Sequence, residues 1–188
     1  GGMPGAFSAG ADLKYLKDKI DKKAFTEIDE FIAGGHSLFQ NIKYSSFPVV
    51  AAPYGMTLGG GCEVCLASDK MVAHAELYMG LVEIGVGLLP AGGGCMNLWK
   101  KYTQALPADV IKDSDLAKLF IPVFMKIATA AVSMSAFGAV KNGHLGANDR
   151  IVFNRDLQIG EAKKDVLSMV EKGYAPSKKE PLTVIGQE

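Results

Sequence analysis

Three consecutive glycines, Gly59, Gly60 and Gly61, stand between an apolar run and the helix-forming stretch Cys62, Glu63, Val64, Cys65, Leu66, Ala67. No other feature constrains the fold as much, because glycine permits a sharp turn and lets another group approach the backbone closely. The run before it, residues 47–52, is continuously apolar, too short for a helix, and bounded by Ser45, Ser46 and Pro53, as expected of a buried strand. A strand therefore points toward Gly55, and a glycine-rich turn feeds a helix start. A second corner follows. Residues 77–89 mix apolar and β-branched positions with Gly80, Gly85 and Gly87, and they end in Pro90, Ala91, Gly92, Gly93, Gly94 before another helical segment.

Elsewhere the apolar positions are spaced by threes and fours. Leu13, Leu16, Ile20, Phe25, Ile28 and Ile32 predict one long helix over 11–40, or two broken near Asp21. Residues 108–139 continue a wide apolar face through Ile111, Leu119, Val123, Phe124 and Ile127, which must pack on something large. A short apolar segment at 151–153 precedes a further amphipathic helix over 157–174. These patterns divide the chain into an α/β core at 1–107, a helical region at 108–175 and a Pro- and Lys-containing linker or tail at 176–188. Gly1, Gly2, Met3, Pro4, Gly5 read as a loop entering a domain already under way, so further N-terminal sequence is expected.

Composition narrows the function classes. Lys plus Arg equals Asp plus Glu at 20 each, so no net field draws the chain to nucleic acid or an anionic membrane surface. A small neutral pocket fits better than a polyanion groove. Three cysteines in 188 residues make no disulfide framework and point to a reducing compartment, hence a cytoplasmic expectation. No apolar stretch has the length of a transmembrane helix.

On physical grounds the most informative residues are two carboxylates, Glu63 and Glu83, each beside a glycine-rich corner in apolar surroundings. Glu63 lies at a helix start, where unpaired amides and the positive helix end favour negative charge. The same amides could stabilise a carbonyl oxygen that gains charge. An equally open reading is that Glu63 caps its own helix and Glu83 forms a buried ion pair.

Taken together, Ser8, Ala9, Gly10, Ala11, Asp12, Leu13, then residues 48–52, 59–63, and Glu83, Ile84, Gly87, Pro90, Gly93, Gly94 resemble the enoyl-CoA hydratase/isomerase (crotonase) family. Single pieces are weak signals, but four in register are specific. The resemblance implies an α/β, ClpP-like spiral of ββα units with a C-terminal helical region. It also implies an oxyanion hole formed by the backbone N–H groups of Ala11 and Gly60 that grips the thioester carbonyl of an acyl-CoA. Ser8, Ala9, Gly10, Asp12, Leu13, Gly59 and Gly61 would line the CoA and substrate site. Glu63 would activate water and Glu83 exchange the proton at the α-carbon, hydrating a trans-2-enoyl-CoA to a 3-hydroxyacyl-CoA in fatty-acid β-oxidation. The glycines at 59–61 would keep side chains from holding the thioester off the backbone.

Alternatives within the resemblance are a Δ3,Δ2-enoyl-CoA isomerase using Glu83 alone and a non-catalytic acyl-CoA-binding or docking module. The reaction implied needs no metal and no cofactor, and NAD would enter only with a separate dehydrogenase domain. Residues 135–146, 149–156 and 173–176 resemble the hydratase-like region of multidomain 3-hydroxyacyl-CoA dehydrogenases, and the family implies a homo-oligomer, a trimer or hexamer. Cys62 and Cys65 read as helix packing, because no second pair completes a zinc site. His36, His74 and His144 are scattered and lack a Gly-x-Ser-x-Gly elbow. The lysines at 14, 17, 19, 22 and 23 read as a solvated face.

Overall fold

The computed structural model describes residues 4–104, 106–107 and 116–179. Six strands, β1 (Ala6–Ser8), β2 (Val50–Ala51), β3 (Gly55–Leu58), β4 (Lys70–His74), β5 (Leu77–Gly80) and β6 (Arg150–Val152), join two sheets among the described residues. The odd strands form one sheet in the order β1-β3-β5 and the even strands form the other, β2-β4-β6. Every named pairing is parallel. Successive strands therefore alternate between sheets, and the chain returns through a helix before laying down the next pair. This is the expected spiral of ββα units.

The expected strand at 47–52 is shorter than its apolar run. Pro48 and Pro53 have no amide to donate to a ladder, the amide of Val49 goes to the Asp69 carboxylate at 2.8 Å, and Phe47 is exposed. Only Val50–Ala51 pairs, and the strand that meets the glycine turn is the separate β3.

Of the two options for residues 11–40, the chain takes the broken one. Helix α1 (Leu13–Asp21) is capped by Asp12, whose Oδ1 accepts the amides of Lys14 and Tyr15 at 2.9 and 3.1 Å. It ends before Lys23, held at a φ of 54°, and α2 (Phe25–Lys43) follows. Lys17, Lys19 and Lys22 pair with Asp21, Glu27 and Asp18 respectively, as a solvated face should.

Helices α3 (Gly60–Ala67) and α4 (Gly94–Gln104) pack side by side over the sheets. Their contact closes the core, where Cys62, Cys65, Met71, Leu77, Met79 and Leu98 are almost completely buried.

Two helical expectations are corrected. The run 108–139 is not one helix: α5 (Leu116–Ala128) and α6 (Ala136–Lys141) are separated by Ala130 at a φ of 49° and by Ser133, which bridges antiparallel to Met79 of β5. Residues 108–115, with Ile111, lie outside the described residues. Val123 is buried, but Phe120, Phe124 and Met125 remain exposed, so only part of the wide apolar face meets the core.

Helix α7 (Arg155–Glu171) inverts its expected polarity. It exposes Leu157, Ile159, Leu167 and Val170 and buries Gln158, Ala162 and Asp165. Hydrogen bonds explain the inversion. The Gln158 side-chain amide donates to the carbonyls of Pro53 and Val72 at 2.9 and 2.8 Å, and Asp165 accepts from Arg150 and pairs with Lys70. Beyond it, Tyr174 donates its hydroxyl hydrogen to Asp69, and Lys179 lies over the Tyr44 ring. The rest of the expected tail, 180–188, is outside the described residues. No helix among the described residues is long and apolar enough to cross a membrane.

Candidate active site

The site begins where β3 runs into α3. Gly59 joins them at φ 54° and ψ −127°, a conformation that disfavours a side chain, and its amide donates to the Gly80 carbonyl at 3.0 Å. The turn is thereby tied to β5. Opposite it, Ser8 at the end of β1 accepts the amide of Gly10 on its Oγ at 3.2 Å, and Gly10 bends at a φ of 94°. A methyl group on Gly10 would come within 3.3 Å of the Gly60 nitrogen, and one on Gly60 would lie 3.9 Å from the Ala11 nitrogen. Ala11 and Gly60 are thus brought together with their backbones adjacent, and Gly60 stands in the first helical turn, whose amides have no acceptor within the helix.

The three glycines serve different ends. A side chain on Gly61 would meet Ser8 at 2.6 Å, so this glycine lets α3 pack on β1. Gly59 supplies the turn, and a methyl there would approach Glu83 Oε1 at 3.2 Å. Gly60 alone meets nothing nearer than ordinary contact distance. Packing and backbone geometry account for Gly61 and Gly59, whereas neither requires a glycine at position 60. Asp12 has its carboxylate engaged as a helix cap, while Ala9 and Leu13 are exposed at the rim.

Glu63, on the first turn of α3, is 4 % exposed. Its Oε1 accepts the Gly94 amide at 2.9 Å, from the start of α4, so the carboxylate reaches across to the second glycine corner instead of capping its own helix. The same corner leaves room for it: side chains on Gly92 or Gly94 would come within 2.5 or 2.9 Å of its oxygens. Glu83 begins a single 3-10 turn, Glu83–Val86, after β5. Its two carboxyl oxygens are enclosed, make no well-formed hydrogen bond beyond the proximity of the Glu83 and Val82 amides, and make no ion pair among the described residues, so the expected alternative of a buried ion pair fails.

These surroundings set the charges. Burial pushes the Glu63 carboxyl above the usual range, while the amides of Gly94 and Gly92 and the nearby His36 oppose the shift. Burial raises Glu83 as well; its own amide opposes, the charge of Glu63 adds to the rise, and the amide of Val82 opposes. An ionised Glu63 therefore has donors aimed at it, and Glu83 is the carboxyl better suited to carry a proton.

His36 is the residue that sequence spacing missed. It sits on α2, 27 positions before Glu63 in the chain, and its Nε2 contacts the Ala91 carbonyl of the second corner. Only the docking of α2 reveals this. The other candidates have structural roles. Cys62 and Cys65 are fully buried with their thiols pushed up by burial. His144, held down to about 4 by burial, faces Ser133 Oγ inside the core. Among the described residues no three side chains of the His, Cys, Asp and Glu types converge to hold a metal.

Residues 1–115 match the model of the enoyl-CoA hydratase/isomerase family. The chain is 38 % identical over 181 residues to a probable 3-hydroxyacyl-CoA dehydrogenase of Bacillus subtilis, an alignment that takes in 96 % of this chain and 22 % of that protein. It is 37 % identical over 109 residues to the mitochondrial methylglutaconyl-CoA hydratase of the mouse, covering 58 % of this chain and 33 % of the relative. The chain thus spans about a fifth to a third of the length of these curated relatives. An enoyl-CoA hydratase from Bacillus anthracis superposes with a TM-score of 0.70 at 23 % identity, over 93 % of this chain and 58 % of that one, which shows the fold.

Proposed function

Because the chain belongs to the enoyl-CoA hydratase/isomerase family, we propose that it hydrates a trans-2-enoyl-CoA to the 3-hydroxyacyl-CoA, as the hydratase-like module of a longer fatty-acid-oxidising 3-hydroxyacyl-CoA dehydrogenase. The observation that carries this reading is the pair of buried carboxyls facing the second glycine corner and the turn, one bonded to the Gly94 amide and one enclosed with no well-formed hydrogen bond.

The thioester oxygen accepts the N–H groups of Ala11 and Gly60, which stabilise it as it gains enolate charge. Losing one such donor costs about 3–4 kcal/mol of barrier. Glu63, in its carboxylate form, with the Gly94 and Gly92 amides directed at it, takes a proton from water as the water oxygen bonds to the β-carbon. Glu83, whose hold on its proton is strengthened by burial, gives that proton to the α-carbon on the same face. The net change is addition of one water with syn geometry. No electron leaves the substrate, so this reaction calls for no redox cofactor. The exposed apolar residues on α5 and α7 support association with further copies or with a dehydrogenase portion.

The test is the loss of conjugated enoyl-thioester ultraviolet absorbance on mixing the protein with crotonyl-CoA, beside Glu63→Gln and Glu83→Gln. Each substitution is expected to reduce turnover on the order of a hundred- to ten-thousandfold. Loss of hydration in Glu63→Gln with isomerisation of a 3-enoyl-CoA retained supports the division of roles, and equal loss of both reactions refutes it. Acyl-CoA binding with no turnover by the folded protein would favour a docking module.

A further inference from the structure

At the opposite end of α3 from Gly60 lies a cleft of about 320 Å³, lined among others by Lys43, Ser68, Asn97, Lys100, Lys101 and Asn148. Five segments build it: the last residue of α2, the C-terminal end of α3, one face of α4, the turn at 146–149 that leads into β6, and Ser177 beyond α7. Three ammonium groups converge here from two helices.

Two carboxylates share the cleft, and both are already committed. Asp149 accepts Lys101 Nζ at 2.6 Å and the amides of Met71 and Gly146 at 2.7 Å each. Asp69 accepts the Val49 amide at 2.8 Å and the Tyr174 hydroxyl at 3.1 Å. Lys101 is thus balanced by Asp149, while Lys43 and Lys100 make no ion pair among the described residues. Burial and the neighbouring charges of Lys100 and Lys101 hold Lys43 below the ordinary lysine range, with Asp69 opposing. Three ammonium groups against two carboxylates leave the lining with one excess positive charge.

A second observation points to a missing partner. Asn97 is 4 % exposed, lines the same cleft, and has its Oδ1 enclosed without a hydrogen-bond partner. Buried polar atoms in folded proteins nearly always have a partner. Rotation of the amide by half a turn would offer N–H donors in the same place. Lysines at helix C-termini offset the helix dipole, which explains the sign of Lys43 and Lys101. It explains neither their convergence with Lys100 on an open cavity nor the orphaned amide.

We propose that this cleft binds a phosphate group, as inorganic phosphate or as a small phosphomonoester, through Lys43 and Lys100 with Asn97 and Ser68 as neutral hydrogen-bonding groups. Lys43 and Lys100 form no ion pair among the described residues, three lysines against two aspartates leave the lining with one excess positive charge, and lysine is a common binder of phosphate as a point charge. A bound phosphate would tie together α2, α3 and α4, the elements that bear His36, Glu63 and Gly94.

Isothermal titration of the full chain with inorganic phosphate and, separately, with glycerol 3-phosphate, at constant ionic strength set with chloride, tests the site. Saturable binding is expected, with affinity reduced at least tenfold in Lys43→Gln and in Lys100→Gln and unchanged in Lys17→Gln, whose amine pairs with Asp21 on the surface of α1. Melting in chloride alone checks that each variant is folded. Tighter binding of glycerol 3-phosphate assigns the site to a phosphomonoester, and tighter binding of inorganic phosphate assigns it to the free ion. Absence of saturable binding by either probe, or equal affinity in folded Lys43→Gln and Lys100→Gln, overturns the proposal.

Discussion

Substituting Gly92 by alanine places a methyl group against the carboxylate on which the proposed water activation depends. Built on the backbone, that methyl lies 2.1 Å from Phe39 Cε2 and 2.5 Å from Glu63 Oε2, whereas ordinary contact begins near 3.4 Å. Both overlaps are with the ends of side chains, so the backbone can stay while Phe39 and Glu63 give way. The Glu63 oxygen must retreat by about 1 Å, and a misplacement of that size costs on the order of a hundredfold in rate, or about 2.7 kcal/mol of barrier. Overpacking should lower stability by about 1–3 kcal/mol. Crotonyl-CoA hydration followed by ultraviolet absorbance should therefore show kcat reduced about a hundredfold, with KM changed much less because the groups proposed to grip the thioester are elsewhere. Adding Phe39→Leu relieves one overlap and not the other, so the double variant should regain melting temperature without regaining kcat. Retention of kcat within about twofold in Gly92→Ala would refute the placement of Glu63.

The raised carboxyls predict a bell-shaped pH profile for kcat/KM, rising as Glu63 ionises and falling as Glu83 loses its proton, with both limbs above the usual carboxylate range. Because Glu83 binds its proton more tightly folded than unfolded, its contribution to stability is full below the unfolded pKa and lost as pH rises through the folded one. Melting curves of Glu83→Gln should show a smaller loss from acid to neutral pH than the parent. Gly61→Ala should cost about 1–3 kcal/mol, because its methyl would meet Ser8, at about 2–4 °C of melting temperature per kcal/mol. Gly60→Ala should leave melting nearly unchanged and reduce kcat/KM, by placing a methyl beside the Ala11 amide. Gln158→Leu should destabilise by about 1–3 kcal/mol in chemical denaturation, since it deprives the Pro53 and Val72 carbonyls of a buried donor.

What the sequence determined by itself is local. The glycine corners, the helix carrying Glu63 and the buried packing of Cys62 and Cys65 follow from backbone freedom and apolar spacing within a few residues, whereas the spacing over 11–40 left one helix or two equally open. The structure bears out the first three and takes the broken option for the last. The tertiary structure decided what depends on distant partners. Glu63 is held by the amide of Gly94, 31 positions away, and Glu83 is left without a well-formed hydrogen bond, so two carboxyls that look alike in the sequence differ in their surroundings. The short β2, the interruption between α5 and α6 and the inverted α7 likewise arise from Asp69, Met79 and the carbonyls of Pro53 and Val72. Hydrophobic periodicity records which side chains are apolar. Which face is buried depends on where unpaired backbone groups await a donor or acceptor, and that is settled only when the strands have paired.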